Sequence, residues 1–197
     1  MSVGRRTFLA LAASAGGTAI ARPSAALKAF DRSVPPGPRA TAGSSASQVR
    51  RALIHNLHTG DVLDTVYWES GRYVPDALAE AMRVMRDWRN GEEHAMDPRL
   101  FDVLHAVQRK LEVNRPVQLV SGFRSPATNA MLHAESHQVA AHSQHLLGKA
   151  SDIRIDGVDL RNLHRAALSL SAGGVGFYPQ SDFVHVDVGP VRQWSGT

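Results

Sequence analysis

Apolar and polar positions follow several different patterns along this chain, and each pattern predicts a different element. From Phe8 to Ala21 the sequence is an Ala-rich apolar run. Residues 27–48 show no period and are rich in Pro, Gly, Ser and Ala, including Pro35, Pro36 and Pro38, which predicts a flexible linker. A folded domain is expected from there on. Residues 51–58 and 62–68 flank Thr59-Gly60-Asp61, and Val62, Val66 and Tyr67 favour extended backbone, so this stretch reads as a β-hairpin. Behind Pro75, the residues Leu78, Met82, Met85 and Trp88 keep helical spacing, with Asn90-Gly91 as the stop. Asp97 then reads as the cap of a second helix, followed by Pro98 and by Phe101, Leu104, Val107 and Leu111 on one side.

The C-terminal half is more finely divided. Val117 to Val120 reads as a buried strand closed by Ser121-Gly122, and residues 126–136 as a helix. Ile153 and Ile155 alternate with polar residues, so a strand is expected from Asp152. Asp159 caps a helix carrying Leu160, Leu163, Ala167 and Leu170, stopped at Gly173-Gly174. Residues 175–178 and 183–188 read as the last two strands. Strands and helices mix without strict alternation, which predicts an α+β domain with a small antiparallel sheet and flanking helices.

The length of 197 residues suits one domain plus a leader. Arg5 and Arg6 precede the apolar run, and Ser24, Ala25 and Ala26 supply small residues after it. That is the layout of a secretory signal, and paired arginines before Phe8-Leu9 point to the twin-arginine route. Residues 1–26 are therefore expected to direct export to the periplasm, leaving no stable membrane anchor once removed. The run is too short and too Gly-containing to predict a membrane span.

The leader also changes the charge picture. The formal net charge is +4, and Arg5, Arg6 and Arg22 supply three positives with no acid before residue 27. The remaining chain is close to neutral, which gives no support for a nucleic-acid partner. There is no cysteine, which excludes disulfides, thiolate metal sites and cysteine nucleophiles.

Two segments carry candidate chemistry: Ser143 to Asp152 and Phe183 to Asp187. The first separates His145 from Asp152 by seven positions, with Gly148 allowing a bend. The second puts His185 on a predicted strand. If the strands are neighbours, an N, O, N ligand set converges, the ligand count of a catalytic zinc site with one position left for water. Zinc lowers the pKa of such a water to about 7 and polarises a carbonyl. On spacing alone, the same histidines could merely hydrogen-bond within the fold, since the chain holds ten of them.

The run His145-x-x-Gly148-x-Ala150-x-Asp152, with Ser143 two positions ahead, resembles the zinc motif of the D-alanyl-D-alanine metallopeptidases. That superfamily includes VanX-type dipeptidases and zinc carboxypeptidases, and shares an α+β fold with the Hedgehog signalling domain. A more extensive resemblance is to the murein endopeptidase K-like family. It rests on Ser121-Gly122-Phe123-Arg124-Ser125-Pro126-Ala127-Thr128-Asn129, on the zinc motif, and on Phe183 to Pro190, in that order. His58-Thr59-Gly60, Tyr67-Trp68 and Asp87-Trp88-Arg89 are also similar to its N-terminal part.

The resemblance implies a Hedgehog/DD-peptidase-like domain over 49–197, with Zn2+ on His145, Asp152 and His185. It implies hydrolysis of peptide crosslinks in peptidoglycan (murein), including those at diaminopimelate, during wall growth. A D,D-carboxypeptidase and a non-catalytic wall-binding module remain as alternatives. Arg124 is implied to stabilise an oxyanion or a substrate carboxylate, against a purely structural ion pair. Asp182 stands where VanX-type enzymes carry a glutamate, three positions before the last zinc histidine. It either acts as general base or only closes a turn. Asp187 shares a strand face with His185 and is read as a partner orienting that ligand or as an alternative base. His133, His137 and His142 are read as loop or helix-surface residues, and Ser143 as a hydrogen-bonding support. A monomer is expected.

Overall fold

The computed structural model describes residues 49–136 and 139–196, so the predicted leader and linker, and His137, lie outside the described residues. The strands β1 (Arg50–Asn56), β2 (Val62–Glu69), β3 (Arg72–Tyr73), β4 (Val117–Ser121), β5 (Ala150–Ile155), β6 (Gly174–Tyr178), β7 (Phe183–Asp187) and β8 (Arg192–Ser195) form one sheet. Its order is β3-β2-β1-β4-β5-β7-β6-β8. Four helices accompany it: α1 (Pro75–Val84), α2 (Pro98–Lys110), α3 (Pro126–Glu135) and α4 (Leu160–Leu168).

The α+β class holds, but the expected small antiparallel sheet is corrected to an eight-stranded mixed one. Two pairs are parallel, β1 with β4 and β6 with β8. The first arises because α1 and α2 lie between β1–β3 and β4, the long crossover that parallel neighbours need. The second arises because β8, absent from the sequence-based expectation, returns along the free edge of β6 instead of continuing past β7.

Local signals fix most boundaries. Asp97 accepts from the Arg99 amide and Asp159 from those of Arg161 and Asn162, satisfying orphan N–H groups at the starts of α2 and α4. The helix α1 is shorter than expected. It ends at Val84 with Met85 as cap, so Trp88 sits in the following turn. Its buried face is Ala77, Ala81 and Val84, and of the residues at the expected spacing Leu78 packs half-buried against the core while Met85, the cap, is wholly buried.

The core side of β5 and β7 carries Ile153, Ile155, Val184 and Val186, and both α2 and α4 pack against the sheet and against each other. Leu100, Phe101, Leu104, Val107 and Leu163 complete this layer, all nearly excluded from water. Side chains alternate along a strand, so Asp152, His185 and Asp187 necessarily leave the opposite side of the sheet. No helix among the described residues is long and apolar enough to cross a membrane.

Candidate active site

Backbone pairing brings two of the three candidate ligands together. Asp152 and His185 are register partners between β5 and β7. The third, His145, sits on a short 3-10 turn (Gln144–Leu147) whose N-terminus is capped by the Ser143 hydroxyl. Gly148 ends that turn at φ 64°. A Cβ there would lie 2.2 Å from the Ala95 carbonyl oxygen, so only glycine permits both the bend and the close passage.

The resulting triangle is tight. His145 Nε2 lies 3.2 Å from Asp152 Oδ1 and 3.1 Å from His185 Nδ1, and His185 Nδ1 lies 2.9 Å from Asp152 Oδ1. All three residues are buried. The outward nitrogens set the tautomers. His145 Nδ1 meets the Gly122 carbonyl at 2.7 Å, and His185 Nε2 meets Asp187 Oδ2 at 3.0 Å. Both partners can only accept, so both outward nitrogens donate. In the neutral rings, two imidazole lone pairs and a carboxylate oxygen therefore face one another, three acceptors at one point. Such a donor set suits a divalent cation: tetrahedral zinc with bonds of about 2.0–2.1 Å spaces its ligands by about 3.3 Å. The three atoms lie within 4.8 Å of one another and form a group able to hold a metal ion.

The electrostatics of His145 and Asp152 fit the same use, while His185 holds its proton more tightly, so that a metal there would have to displace it. Burial, aided by the Arg124 charge, lowers the His145 pKa to about 4, so the ring is neutral at pH 7. Burial pushes Asp152 up, but His145 and Arg124 outweigh it and hold the carboxyl well below its usual range. For His185 burial again lowers the pKa, and the hydrogen bonds to Asp152 and Asp187 reverse the sign, leaving it raised.

Arg124 reaches this cluster from the loop after β4. Its Nη2 donates to Asp152 Oδ2 at 2.5 Å and its Nε to the Ser121 hydroxyl at 3.1 Å, while Nη1 has no hydrogen-bond partner among the described residues. The ion pair weighed from the sequence is therefore present, and one edge of the guanidinium remains for another anion. The loop is anchored from both sides: Ser125 caps α3, and the Phe123 amide donates to the Met85 carbonyl at 2.8 Å.

Neither candidate base has the geometry for that role. Asp182 is corrected first. It occupies a turn at φ 54°, its side chain is 63% exposed, and its carboxylate pairs with Arg154 at 2.8 Å. Asp187 is corrected as an alternative base for the opposite reason. Its carboxylate is wholly buried and accepts from His185, from Arg192 and from the amides of Gly174 and Gly189. Burial would raise its pKa, yet these donors, His185 and Arg192 first, hold it well below the carboxylate range. Its geometry is that of a group orienting His185.

A cavity of about 410 Å³ opens onto the triangle. Arg124 lines it, and so do Tyr178, Phe183, Arg192, Trp194 and His142. Sequence reasoning gave the last three of these no wall role, because β8 was not foreseen and His142 was assigned to the surface. Trp194 donates from Nε1 to the Tyr178 hydroxyl at 2.8 Å, and its ring lies 5.1 Å from that of His185. The signal was present in the sequence: Arg192 and Trp194, two apart, register against Gly174 and Gly176, which leave room for them.

A buried His–Asp–His group beside an arginine, opening onto a peptide-sized cavity, defines a candidate metal-dependent hydrolase. Residues 44–194 match the model of a peptidase family (M15_2) described as "Peptidoglycan L,D-endopeptidase MepK", and the chain belongs to that family. The protein of that name in Escherichia coli (strain K12) is 43% identical over 150 residues, spanning 76% of this chain and 82% of the relative. In Haemophilus influenzae a "Probable peptidoglycan L,D-endopeptidase MepK" is 40% identical over 153 residues, with 77% and 82% covered.

Proposed function

We propose that this chain is a zinc-dependent peptidoglycan L,D-endopeptidase that hydrolyses peptide crosslinks of murein as the wall grows. One observation carries the reading: three buried lone-pair atoms from His145, Asp152 and His185 converge beside Arg124 on a cavity, in a chain of this family. Zinc held there would act as a Lewis acid on a peptide carbonyl and on water. The protein's own groups do the rest. Asp187 keeps the Nε2 proton of His185 pointing outward, so that Nδ1 offers its lone pair. The Gly122 carbonyl does the same for His145. Arg124, whose Nη1 has no hydrogen-bond partner among the described residues, can donate to the developing oxyanion or to a substrate carboxylate. Trp194, Tyr178 and Phe183 form an apolar wall for the peptide.

Export follows from the arginine pair and apolar run of residues 1–26. On this reading the protein works in the periplasm as a monomer, freed of its leader and joined to it beforehand by residues 27–48. The Hedgehog/DD-peptidase-like architecture is proposed on the order of the motifs along the sheet.

Digestion of purified murein sacculi tests the proposal. Zinc-loaded protein should deplete crosslinked dimers and His185→Ala should not. Trimmed stem peptides with intact dimers would instead identify a carboxypeptidase, and binding without any product a wall-binding module.

A further inference from the structure

Four strands set one row of residues across the site face of the sheet. Asp152 on β5 registers with His185 on β7, His185 with Gly176 on β6, and Gly176 with Trp194 on β8. One step further along, Tyr178 of β6 registers with Phe183 of β7. Side chains alternate along a strand, so Tyr178 shares a face with Gly176, and Phe183 with His185. Gly176 leaves the space in which the Trp194 indole lies over β6. From there the indole reaches both ways. Its ring is 5.1 Å from that of His185, and its Nε1 donates to the Tyr178 hydroxyl at 2.8 Å.

This hydrogen bond fixes a direction as well as a distance. An indole N–H can only donate, so the phenol oxygen is the acceptor. Its own O–H proton must point elsewhere, and among the described residues it has no acceptor. Tyr178 and Trp194 are both half-buried, and both line the cavity that opens onto the His–Asp–His triangle. The phenol ring is held from the side as well, stacked on Phe183 at 4.5 Å between centroids and inclined by 21°. A phenylalanine would give the same stack. What the hydroxyl adds to this wall is a donor whose position is set by two neighbouring rings.

We propose that Tyr178 is a substrate-binding residue whose O–H, oriented by Trp194, donates to a carbonyl oxygen of the crosslinked peptide. The inference rests on the endopeptidase reading above and adds a directed polar contact to an otherwise apolar wall. A peptide offers a carbonyl at every residue, and an apolar wall alone lets it slide. One fixed donor beside His185 selects which carbonyl stops there, and so which peptide bond reaches the triangle.

The test compares native protein, Tyr178→Phe, Trp194→Phe and the double variant, all zinc-loaded, on a purified crosslinked murein dimer. Tyr178→Phe keeps the stack on Phe183 and should lower kcat/KM about 10-fold. Binding of the same dimer to the metal-free proteins, by calorimetry, should weaken by a similar factor and needs no turnover. A hydroxyl that only satisfied the indole N–H would cost stability and leave the peptide unaffected. Dimer affinity and kcat/KM both within about twofold of native in Tyr178→Phe would therefore overturn the inference and leave the endopeptidase reading intact. Trp194→Phe tests the orientation. If the indole acts through the phenol, the double variant loses less than the product of the two single losses, whereas losses that multiply would overturn the orienting role. If the native protein binds the dimer in this Tyr178-dependent way without cutting it, the endopeptidase reading falls and the contact stands. If it neither binds nor cuts the dimer, both fall.

Discussion

Asp152 and His185 face each other directly across the β5–β7 ladder, with Oδ1 and Nδ1 2.9 Å apart. Sheet hydrogen bonds, not a loop, set this separation. The two groups are therefore preorganised on the central strands of a sheet whose opposite side is packed by α2 and α4. Removing a metal should abolish hydrolysis without collapsing the fold. At zinc about 100-fold above its Kd, binding adds about 2.7 kcal/mol. For a domain of this size, chelation should then lower Tm by about 5–10 °C, with a retained far-ultraviolet circular dichroism spectrum. Loss of the sheet signal on chelation would contradict this account.

Asp187 should control metal affinity without touching the metal. Its carboxylate joins His185 to Arg192, which donates at 2.7 Å. In Asp187→Asn the amide can no longer anchor both, and zinc affinity measured against a chromophoric chelator should fall about 10- to 100-fold. The variant should also lose stability by about 1–3 kcal/mol, because the buried acceptor of the Gly174 and Gly189 amides is weakened, while Arg192, 41% exposed, keeps its hydration. Excess zinc should restore part of the activity.

Asp182, by contrast, should be dispensable. An ion pair between side chains that are 63% and 39% exposed contributes at most about 1 kcal/mol. Asp182→Asn should leave the rate of dimer hydrolysis within about twofold of the native value. A thousandfold loss would restore it as the general base.

These corrections show where the sequence was legible. Helix caps at Asp97 and Asp159, the hairpin turn at Thr59-Gly60-Asp61 and the alternation around Ile153 are local signals, and each stands in the structure. The convergence of His145, Asp152 and His185 was legible because motif order and strand alternation both constrain it. Topology was not, since the pairing of β1 with β4 and of β6 with β8 depends on crossovers that no local period encodes. Asp187 stands where the sequence reading put it as the partner orienting His185, whereas its reading as a base, and that of Asp182, were not decidable from the sequence. Chain position gives the side of a strand but not whether a carboxylate is already saturated, and Asp187 accepts from three residues besides His185.

Gly176 should tolerate no side chain. It registers against Trp194 in the parallel β6–β8 pair, and a Cβ would lie 2.6 Å from Trp194 Cε2. Gly176→Ala should displace the indole, costing about 1–3 kcal/mol in denaturant unfolding. Because Trp194 lines the cavity beside His185, KM for crosslinked dimers should rise as well. An unchanged KM together with the stability loss would mean that the indole is a structural lid on β6 and no part of the substrate wall.

The hairpin turn supplies a pH-dependent contribution separate from the site. Asp61 accepts from Arg86 at 2.6 Å and from Arg83 at 2.9 Å. The Arg86 hydrogen bond, with lesser help from Thr59 and Arg83, lowers its pKa from 3.8 to about 2. The folded state thus binds the proton less readily than the unfolded chain. Stability from this group is complete above about pH 4 and disappears as pH falls through about 2. Solvent screening of this partly exposed cluster limits it to about 1 kcal/mol. Asp61→Asn should therefore be less stable than the native protein at pH 6, and the gap should close by about pH 2. A gap that stays constant across that range would assign the loss to turn geometry rather than to the carboxylate's charge.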